Sequence, residues 1–513
     1  MNKFIKYMAA GALLAGSLSG CDDFFDLRPT NKMVIDDYWT SEDDVLAVTS
    51  SVYTQMCSEG FMQRVLLWSE FRSDNCLLST ADNNDISSFA NLTLSPTNGY
   101  SAWRDFYTAI NYCNTVEKFA PQVCEVSPTF TRAQLDAYIA EVRGLRAWCY
   151  FTLVRTFRDI PFVLEPTVDD EAIFEVPQSD PDYVVDYLID DLKEYEGRAQ
   201  STFVNSVYTR GRMTQAAIRT LIADMLLWRG RYAECAEYCD KVLNDASNPL
   251  SLVPGSNAAS QLFVNGNSRE SIFELQFSAS TTSNAAVRNF YGNSSTGTGN
   301  QYFVANDVSE IFAATDSRLY TSMEYRMAGD AVRHIAKYCA MAGNIFETSN
   351  RYYSFIDPGA CNWVVYRLAD IYLMKAEALA ETGGDLITIH ELCSKTYDRA
   401  NYEAQAGSLP MPATAEEARK MVFEERQREF LFEGKRYFDI LRRIKNHPDE
   451  FSTMVTTYLK PRYVKEKVDN QTISAKLISV DALYMPVNND ELRHNPLLVQ
   501  NPFYKTSTNI ETN

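Results

Sequence analysis

Three glutamates in the C-terminal third of the chain have a spacing that could support catalysis. Glu425, Glu429 and Glu433 stand at positions i, i+4 and i+8 of a predicted helix, which places their carboxylates along one face. Paired carboxylates hydrolyse glycosidic bonds when one of them stays protonated as a general acid. Four basic residues interleave with these glutamates and would keep their pKa values low: Arg426, Arg428, Lys435 and Arg436. The tract therefore predicts a structural ion-pair lattice on a buried helix rather than a catalytic pair.

Motifs for metal binding or nucleophilic catalysis give no stronger candidate. The chain has four histidines, and none of them falls in an HExxH or other metal-ligand spacing. Residues 82–85 (DNND) resemble a calcium loop, but the alternating spacing, the glycine and the terminal glutamate of such a loop are missing. The sequence contains neither a G-x-S-x-G nucleophile elbow nor a phosphate-binding P-loop. The sequence thus predicts no catalytic residue, no metal and no cofactor.

A cysteine near the N-terminus predicts covalent chemistry of another kind. Lys3 and Lys6 precede a short apolar segment at residues 8–18, and Leu-Ser-Gly-Cys at 18–21 has the pattern of a bacterial lipobox. An ordinary secretory signal with a chance cysteine is the alternative interpretation. We expect residues 1–20 to be removed as a lipoprotein signal peptide. Acylated Cys21 would then anchor a tether at residues 21–40 to a membrane.

The elements that must position these residues are mostly helices, so the predicted fold class is mainly α with minor β. Pro121 is expected to end one helix and Pro161 to follow another. Strand-like segments occur at 271–277 and 480–487. Apolar residues recur at helical spacing over residues 42–58, 101–120, 132–158, 180–195, 214–229, 232–245, 363–382, 385–400 and 415–444.

Helix pairs and long loops alternate along the chain. Two pairs, with turns at Gly230 and at Gly383, have the spacing of tetratricopeptide-like repeats. Repeats of this kind stack into a solenoid. Three long stretches rich in Ser, Thr, Asn and Gly carry inserted aromatic residues, at 79–100, 278–303 and 341–362. Loops of this length are uncommon unless they are functional or disordered. We expect them to carry binding residues.

The composition limits the class of partner. The 513 residues carry a formal net charge of −19, which argues against nucleic acid and anionic lipid headgroups, since both are polyanions. Eleven cysteines are present, but their spacing does not indicate a dense disulfide framework, and buried thiols are the simpler interpretation for most of them.

Five segments, in order along the chain, carry a family resemblance: residues 21–29, 141–148 with 158–161, 366–378, 424–439 and 484–504. They resemble the SusD/RagB family of Bacteroidetes outer-membrane nutrient-binding lipoproteins. Asp22 and Asp23, directly after the lipobox, also resemble the surface-export signal of Bacteroidetes lipoproteins. The resemblance implies one SusD-like domain over 41–513, with an N-terminal part at about 21–230 and a C-terminal part at about 270–513. Tetratricopeptide-like repeats would form one side of this domain and an irregular, loop-rich lobe the other.

The family resemblance also implies a function. SusD-like proteins are non-catalytic and face the outside of the cell, where they capture oligosaccharides and pass them to a partner TonB-dependent outer-membrane transporter, the SusC-like barrel. In some members the ligand is a peptide, so a peptide or another non-glycan ligand stays open here. Two further alternatives are a surface glycoside hydrolase lipoprotein and a helical-repeat scaffold that binds only protein.

Sugar chemistry indicates where a ligand could bind. A sugar offers an apolar ring face and a rim of hydroxyls, so its site needs an aromatic platform beside amide, carboxylate or guanidinium groups. The three long loops supply such combinations, and we therefore predict a ligand site between residues 79–100, 280–303 and 345–355. The candidate ligand residues are Asp82, Asn83, Asn84, Phe89, Phe290, Tyr291, Tyr302, Arg351, Tyr352 and Tyr353.

Overall fold

The fold is mostly helical in a computed structural model that describes residues 38–79, 83–168, 175–291, 301–305, 307–324, 334–338, 358–403 and 409–505. The helices of the N-terminal half are α1 Glu42–Met56, α2 Glu59–Ser69, α3 Asn84–Ala90, α4 Arg104–Val126, α5 Arg132–Phe157, α6 Pro181–Tyr195, α7 Ser206–Gly211, α8 Gln215–Trp228 and α9 Tyr232–Leu243. Those of the C-terminal half are α10 Ala285–Phe290, α11 Ser317–Thr321, α12 Leu368–Glu381, α13 Leu386–Ala400, α14 Ala415–Glu429, α15 Arg436–Asn446, α16 Phe451–Met454, α17 Lys460–Lys465, α18 Asn470–Lys476 and α19 Asn489–His494.

The strands of the described residues are short and form antiparallel pairs. β1 Cys76–Leu78 pairs with β5 Tyr302–Val304, and β2 Ile160–Pro161 pairs with β3 Gln178–Ser179. β4 Ser271–Leu275 pairs with β6 Trp363–Arg367 across a register shift. The β1–β5 and β4–β6 pairs connect segments that are far apart in sequence, so they hold loops together rather than build a sheet of their own.

Helix α5 is the central element of the fold. A capping box starts it, because the side chain of Thr131 accepts from the backbone N–H of Gln134 and the Gln134 side chain accepts from that of Thr131. Its residues from Leu135 onward are buried on almost every side, as is typical of a helix enclosed by others. It packs against α4 and α6, and the main hydrophobic core surrounds it.

The predicted helix pairs form and stack in sequence order. Helix α8 packs on α9, α9 packs on α12, and α12 packs on both α13 and α14. A second, smaller hydrophobic cluster fills the space between α12, α13 and α14. The helical fold class and the pairing of neighbouring helices are as the sequence indicates, while the assignment of these pairs to tetratricopeptide repeats stays a prediction.

Four boundaries differ from the sequence-based expectation. Pro121 lies inside α4, where burial of Ala120 and Val123 stabilises the helix against the lost backbone hydrogen bond. Residues 363–367 form β6 instead of the first turn of a helix, because valines and aromatic residues favour an extended chain. Left-handed backbone at Phe432 and Gly434 divides the predicted 415–444 helix into α14 and α15. Residues 480–483 form a 3₁₀ turn and not a strand.

Seven cysteines of the described ranges are buried free thiols, as the simpler interpretation predicts: Cys57, Cys76, Cys113, Cys149, Cys235, Cys239 and Cys393. No helix in the described part of the chain is both long and apolar enough to cross a membrane.

Candidate ligand-binding surface

The glutamate tract forms a buried ion-pair lattice. The side chain of Glu429 is 1 % exposed and contacts three arginines from other elements, at 2.8 Å from Arg318 Nη1, at 2.5 Å from Arg367 Nη1, and against Arg399. Glu433 pairs with Arg367 at 2.9 Å. Burial by itself would raise the pKa of Glu429, but the three arginines hold that pKa well below its ordinary value. A general acid needs a raised pKa, so this carboxylate is unsuited to that role.

The four basic residues adjacent in sequence pair elsewhere than expected. Arg426 binds Asp439 at 2.8 Å, and Arg436 binds Asp74 at 2.9 Å. Lys435 contacts Asp370. Of the four, only Arg428 contacts one of the predicted glutamates, Glu425, at 2.9 Å. The lattice is therefore confirmed, but long-range packing supplies most partners of the glutamates, which helix spacing could not indicate.

Within the described ranges, no group of three or more His, Cys, Asp or Glu side chains is placed so that it could hold a metal ion. Asp82, the first residue of the calcium-like DNND segment, lies outside those ranges.

Four of the predicted platform rings lie in the core, which corrects the prediction made for them. Phe89 and Phe290 are each 1 % exposed, and Tyr291 and Tyr302 are 0 % exposed. The ring of Tyr302 stacks on Phe71 at a centroid distance of 3.7 Å. These rings face inward because they cover the core beneath the loops, and a ring packed on both faces cannot receive a sugar.

The remaining predicted ligand residues divide into two groups. Asn83 and Asn84 are exposed at the start of α3, where the Asn83 side chain accepts from the backbone N–H of Asp85 at 2.8 Å. Asp82, Arg351, Tyr352 and Tyr353 lie outside the described residues, so their role as ligand residues stays a prediction.

Two of the three predicted ligand loops meet at one surface. The backbone N–H of Ser79 donates to the carbonyl of Gln301 at 2.9 Å, which extends the β1–β5 ladder and joins the two loops. On the second loop, Asn289 Nδ2 donates to Glu59 Oε1 at the start of α2 at 3.1 Å. Helix α2, the 83–103 segment and the end of α10 therefore surround the same area.

Tyr100 supplies a partly exposed ring in this area, and the structure holds its backbone firmly. Arg64 on α2 donates to the carbonyl of Gly99 at 2.9 Å and pairs with Asp105 at 2.7 Å. Its guanidinium carbon lies 5.7 Å from the centroid of the Tyr100 ring. Trp68 Nε1 donates to the carbonyl of Tyr100 at 3.0 Å. A ring on such a fixed backbone is preorganised for contact with a ligand.

The Tyr100 ring packs against Phe89 and the core on its inner side and has polar groups beside it. Asp85 Oδ2 accepts from the backbone N–H of Gly99 at 2.9 Å, and the Tyr100 hydroxyl donates to Gln63 Oε1 at 3.4 Å. Burial raises the pKa of Tyr100, which keeps its hydroxyl neutral. We name the area formed by Glu59, Gln63, Asn83, Asn84, Asp85, Tyr100 and Asn289 the Tyr100 surface. It combines a flat ring with amides and carboxylates, the combination that a hydroxylated chain requires.

Sequence reasoning missed Tyr100 although the residue closes the first predicted loop. Its local signal is Asn98-Gly99, since the Asn98 side chain accepts from the backbone N–H of Tyr100 at 2.8 Å and starts a 3₁₀ turn there. Such a turn fixes a ring at the loop end. The pattern alone does not indicate which aromatic residue of the loop faces outward.

A second recess, of about 430 Å³, lies beside α1 and α7. Tyr208 on its rim is 56 % exposed, and Leu46 and Val207 are each 39 % exposed. Gln276 also lines the recess, but its amide already bonds to Asn267 at 3.0 Å. Tyr208 therefore provides an exposed tyrosine in a recess that none of the Tyr100-surface residues lines.

Comparisons with known proteins match both the sequence and the fold. The SusD family model matches residues 254–504. SusD-like protein P38 of Formosa agariphila is 23% identical over 477 residues, which cover 83% of this chain and 89% of that protein. The family match and this relative agree with the SusD/RagB resemblance found in the sequence.

Solved structures have the same fold. A SusD superfamily protein from Bacteroides vulgatus superposes with a TM-score of 0.74 at 20% identity, covering 91% of this chain and 100% of that one. A structure described as a laminarin-binding SusD-like protein superposes with a TM-score of 0.69 at 21% identity, covering 90% and 100%. The mainly helical SusD-like fold predicted from the sequence is confirmed.

Proposed function

We propose that this chain, which belongs to the SusD/RagB family, is a cell-surface protein that captures oligosaccharides and delivers them to a TonB-dependent outer-membrane transporter. The observation that carries the ligand class is the Tyr100 ring, fixed by Arg64 and Trp68 and surrounded by amide and carboxylate groups. A platform ring contributes contact area to the apolar face of a sugar, and its polar neighbours pair with hydroxyls.

The comparisons support a glycan over other oligomers. A protein of the same fold is described as laminarin-binding, and its structure covers 90% of this chain. Identity of 21% is too low to transfer the ligand, so laminarin enters only as a first probe. A peptide ligand is the second candidate, and a panel of polysaccharides and peptides distinguishes it from a glycan.

Delivery to a transporter rests on the tether. A lipid on Cys21 would hold the binding domain at the membrane surface, which raises its effective concentration near a membrane-embedded partner. Weak affinity for each oligomer then suffices for capture. The same arrangement favours a surface-exposed position, where large oligomers are available.

A binding panel on the purified chain tests the proposal. We expect at least one soluble polysaccharide, among laminarin, xylan, mannan, alginate and polygalacturonate, to retard the protein in affinity electrophoresis. Tyr100→Ala should abolish most of the retardation, while Tyr208→Ala in the second recess serves as the matched control and should leave it unchanged. Binding of a mixed peptide library with no polysaccharide retained, or release of reducing ends from any polysaccharide, would reject the glycan-capture function.

A further inference from the structure

Most polar groups that line the recess between α1 and α7 are already bound to the protein. Arg212 donates from Nε to Glu141 Oε1 at 2.8 Å and from Nη2 to the other oxygen of the same carboxylate. Tyr53 donates its hydroxyl to Glu141 Oε1 at 2.5 Å. On α1, the Ser50 and Thr54 hydroxyls donate to carbonyls of their own helix. The surface that the recess offers to an occupant is therefore mainly carbon.

Exposed apolar side chains stand at the rim of this recess. Leu46 on α1 and both Val207 and Tyr208 on α7 are exposed, and so is Val204 in the segment that leads into α7. Apolar groups gathered around a concavity mark a docking site, because a protein surface seldom leaves such a patch in water without a function. The chemistry of the recess thus indicates an apolar occupant.

The described chain begins close to this recess. Trp39 is buried, and its ring stacks on that of Phe119 at a centroid distance of 5.9 Å, which fixes the entry of the chain into α1. At the first position of α1, Glu42 accepts from the hydroxyl of Tyr138 at 3.3 Å. The guanidinium carbon of Arg212, in the wall of the recess, lies 5.4 Å from the centroid of the same Tyr138 ring. One side chain thus separates the start of α1 from the recess.

The residues just before the described chain include an apolar run. Residues 33–35 (Met-Val-Ile) stand three to five positions before Tyr38, with polar residues on both sides of the run. An extended chain advances about 3.3–3.6 Å per residue, so this run reaches about 10–18 Å from Tyr38. Along α1, at about 1.5 Å per residue, the recess residues from Leu46 to Cys57 lie about 6–22 Å from the start of the helix. The run can therefore lie along the recess.

We propose that residues 33–35 of the same chain dock into the recess between α1 and α7 and cover its apolar rim. Docking removes three adjacent apolar residues and the rim side chains from water, which stabilises the contact. Residues 22–32 then remain as the tether, and these eleven residues extend no further than about 40 Å. A lipid on Cys21 would hold the α1–α7 face toward the membrane within that distance. The docking does not depend on which oligomer the protein captures.

Paired cysteines test the docking in the full chain. Val34→Cys is combined either with Val207→Cys at the rim or with Val126→Cys, an exposed position at the end of α4. Val126 is the matched control because it lies about 10 Å along α4 from Phe119, the residue that Trp39 contacts. We expect mild oxidation to form the 34–207 disulfide at least about fivefold faster than the 34–126 disulfide, since docking raises the effective concentration of the first pair. Equal rates would overturn the docking, and a 34–207 disulfide that joins two chains would assign the recess to a second copy instead.

Alkylation of the rim thiol provides a second measurement. Val207→Cys should react with iodoacetamide at least about threefold faster when Val34→Asp is also present, because a carboxylate weakens apolar docking and uncovers the thiol. Val126→Cys should react at the same rate with and without Val34→Asp. An unchanged rate at residue 207 would show that the recess is open in both chains and would overturn the docking. If Val34→Asp folds poorly, the disulfide rates decide.

Discussion

The proposed ligand contact depends most on Tyr100. Tyr100→Ala should weaken oligosaccharide binding by about 1–3 kcal/mol, because the platform area is lost. Tyr100→Phe keeps the ring and removes only the hydroxyl that donates to Gln63 at 3.4 Å, so most of the affinity should remain. Titration calorimetry of both variants measures the difference. Equal losses in the two variants would assign the contact to the hydroxyl instead of the ring face.

Tyr291 illustrates a ring whose role changes once its packing is known. Its side chain is 0 % exposed, and its hydroxyl donates to the carbonyl of Phe432 at 2.9 Å. We expect Tyr291→Ala to lower the free energy of unfolding by about 3–5 kcal/mol, as for other large-to-small core changes. Tyr291→Phe should cost about 0.5–1.5 kcal/mol, since only the hydrogen bond is lost.

Urea denaturation of the two Tyr291 variants provides the measurement. A Tyr291→Ala chain that unfolds like the wild type but loses oligosaccharide binding would restore the ring to the ligand site.

At this scale the sequence located loops that meet in the structure, but it did not indicate which of their rings are buried. Composition located the 79–100 and 278–303 stretches, and these do meet at Ser79 and Gln301. Loops lack the periodicity that tells an inward side chain from an outward one in a helix. Tyr302 is buried because its ring stacks on Phe71, a residue distant in sequence.

Helix α14 is held by charge as well as by apolar packing. We expect Glu429→Gln to lower the free energy of unfolding by about 3–5 kcal/mol, because it leaves buried arginines without their carboxylate. Glu416→Gln on the same helix, with a side chain 67% exposed, is the matched control and should cost less than about 1 kcal/mol. Thermal and urea denaturation of both variants measure the costs.

The pH dependence of the stability that Glu429 contributes follows from the direction of its pKa shift. The pKa of Glu429 lies well below its ordinary value in the folded chain, so the unfolded chain takes up this proton first as the pH falls. Its stabilisation is therefore present above the unfolded pKa of about 4.3 and is lost as the pH falls below it. Wild type should lose stability in acid more steeply than Glu429→Gln. Parallel profiles below about pH 5 would contradict the ion-pair role.

The turn between α14 and α15 depends on a glycine. Gly434 has φ +71°, and an added Cβ would lie 2.8 Å from Ser69 Oγ and 3.1 Å from Trp363 Cζ2. Gly383 has φ +69° with open space around it, so Gly383→Ala should cost about 1–2 kcal/mol for the backbone alone. We expect Gly434→Ala to cost about 1–3 kcal/mol more, from overpacking against Trp363.

Urea denaturation of the two glycine variants separates the backbone cost from the contact cost. Equal destabilisation by Gly434→Ala and Gly383→Ala would show that Ser69 and Trp363 move aside for the added Cβ at no measurable cost.

Helices were predictable from the sequence where one face is buried, and their ends were predictable where side chains cap them. Asp180 accepts from the backbone N–H groups of Asp182 and Tyr183, and the predicted start at 180 holds within one residue. The prediction was wrong at β6, where Val364 and Val365 are buried in a short apolar run. Such a run suits a buried strand as well as a buried helix, and only its pairing with β4 decides between them.

At the scale of the whole molecule, charge is separated between interior and surface. Buried arginines are paired with carboxylates around α14 and α15, so they contribute little field outside the protein. The net charge of −19 then belongs mainly to the surface. An acidic surface is repelled by anionic lipid headgroups. If this chain is attached to a membrane, we therefore expect a hydrophobic anchor to hold it there.

The final prediction concerns that anchor and follows from the charge argument. Cys21→Ala should move the protein from the membrane fraction to the soluble fraction, because acyl chains on Cys21 would be its attachment to lipid. Cys124→Ala, at a half-buried thiol of α4, is the matched control and should stay with the membrane. A chain that begins at Asp22 should unfold at the same urea concentration as the anchored protein, since it keeps every core residue of the described ranges, the first of which is Trp39. Membrane retention of Cys21→Ala after a high-salt wash would contradict the lipobox, and would mean that the folded surface itself binds the membrane or a protein in it.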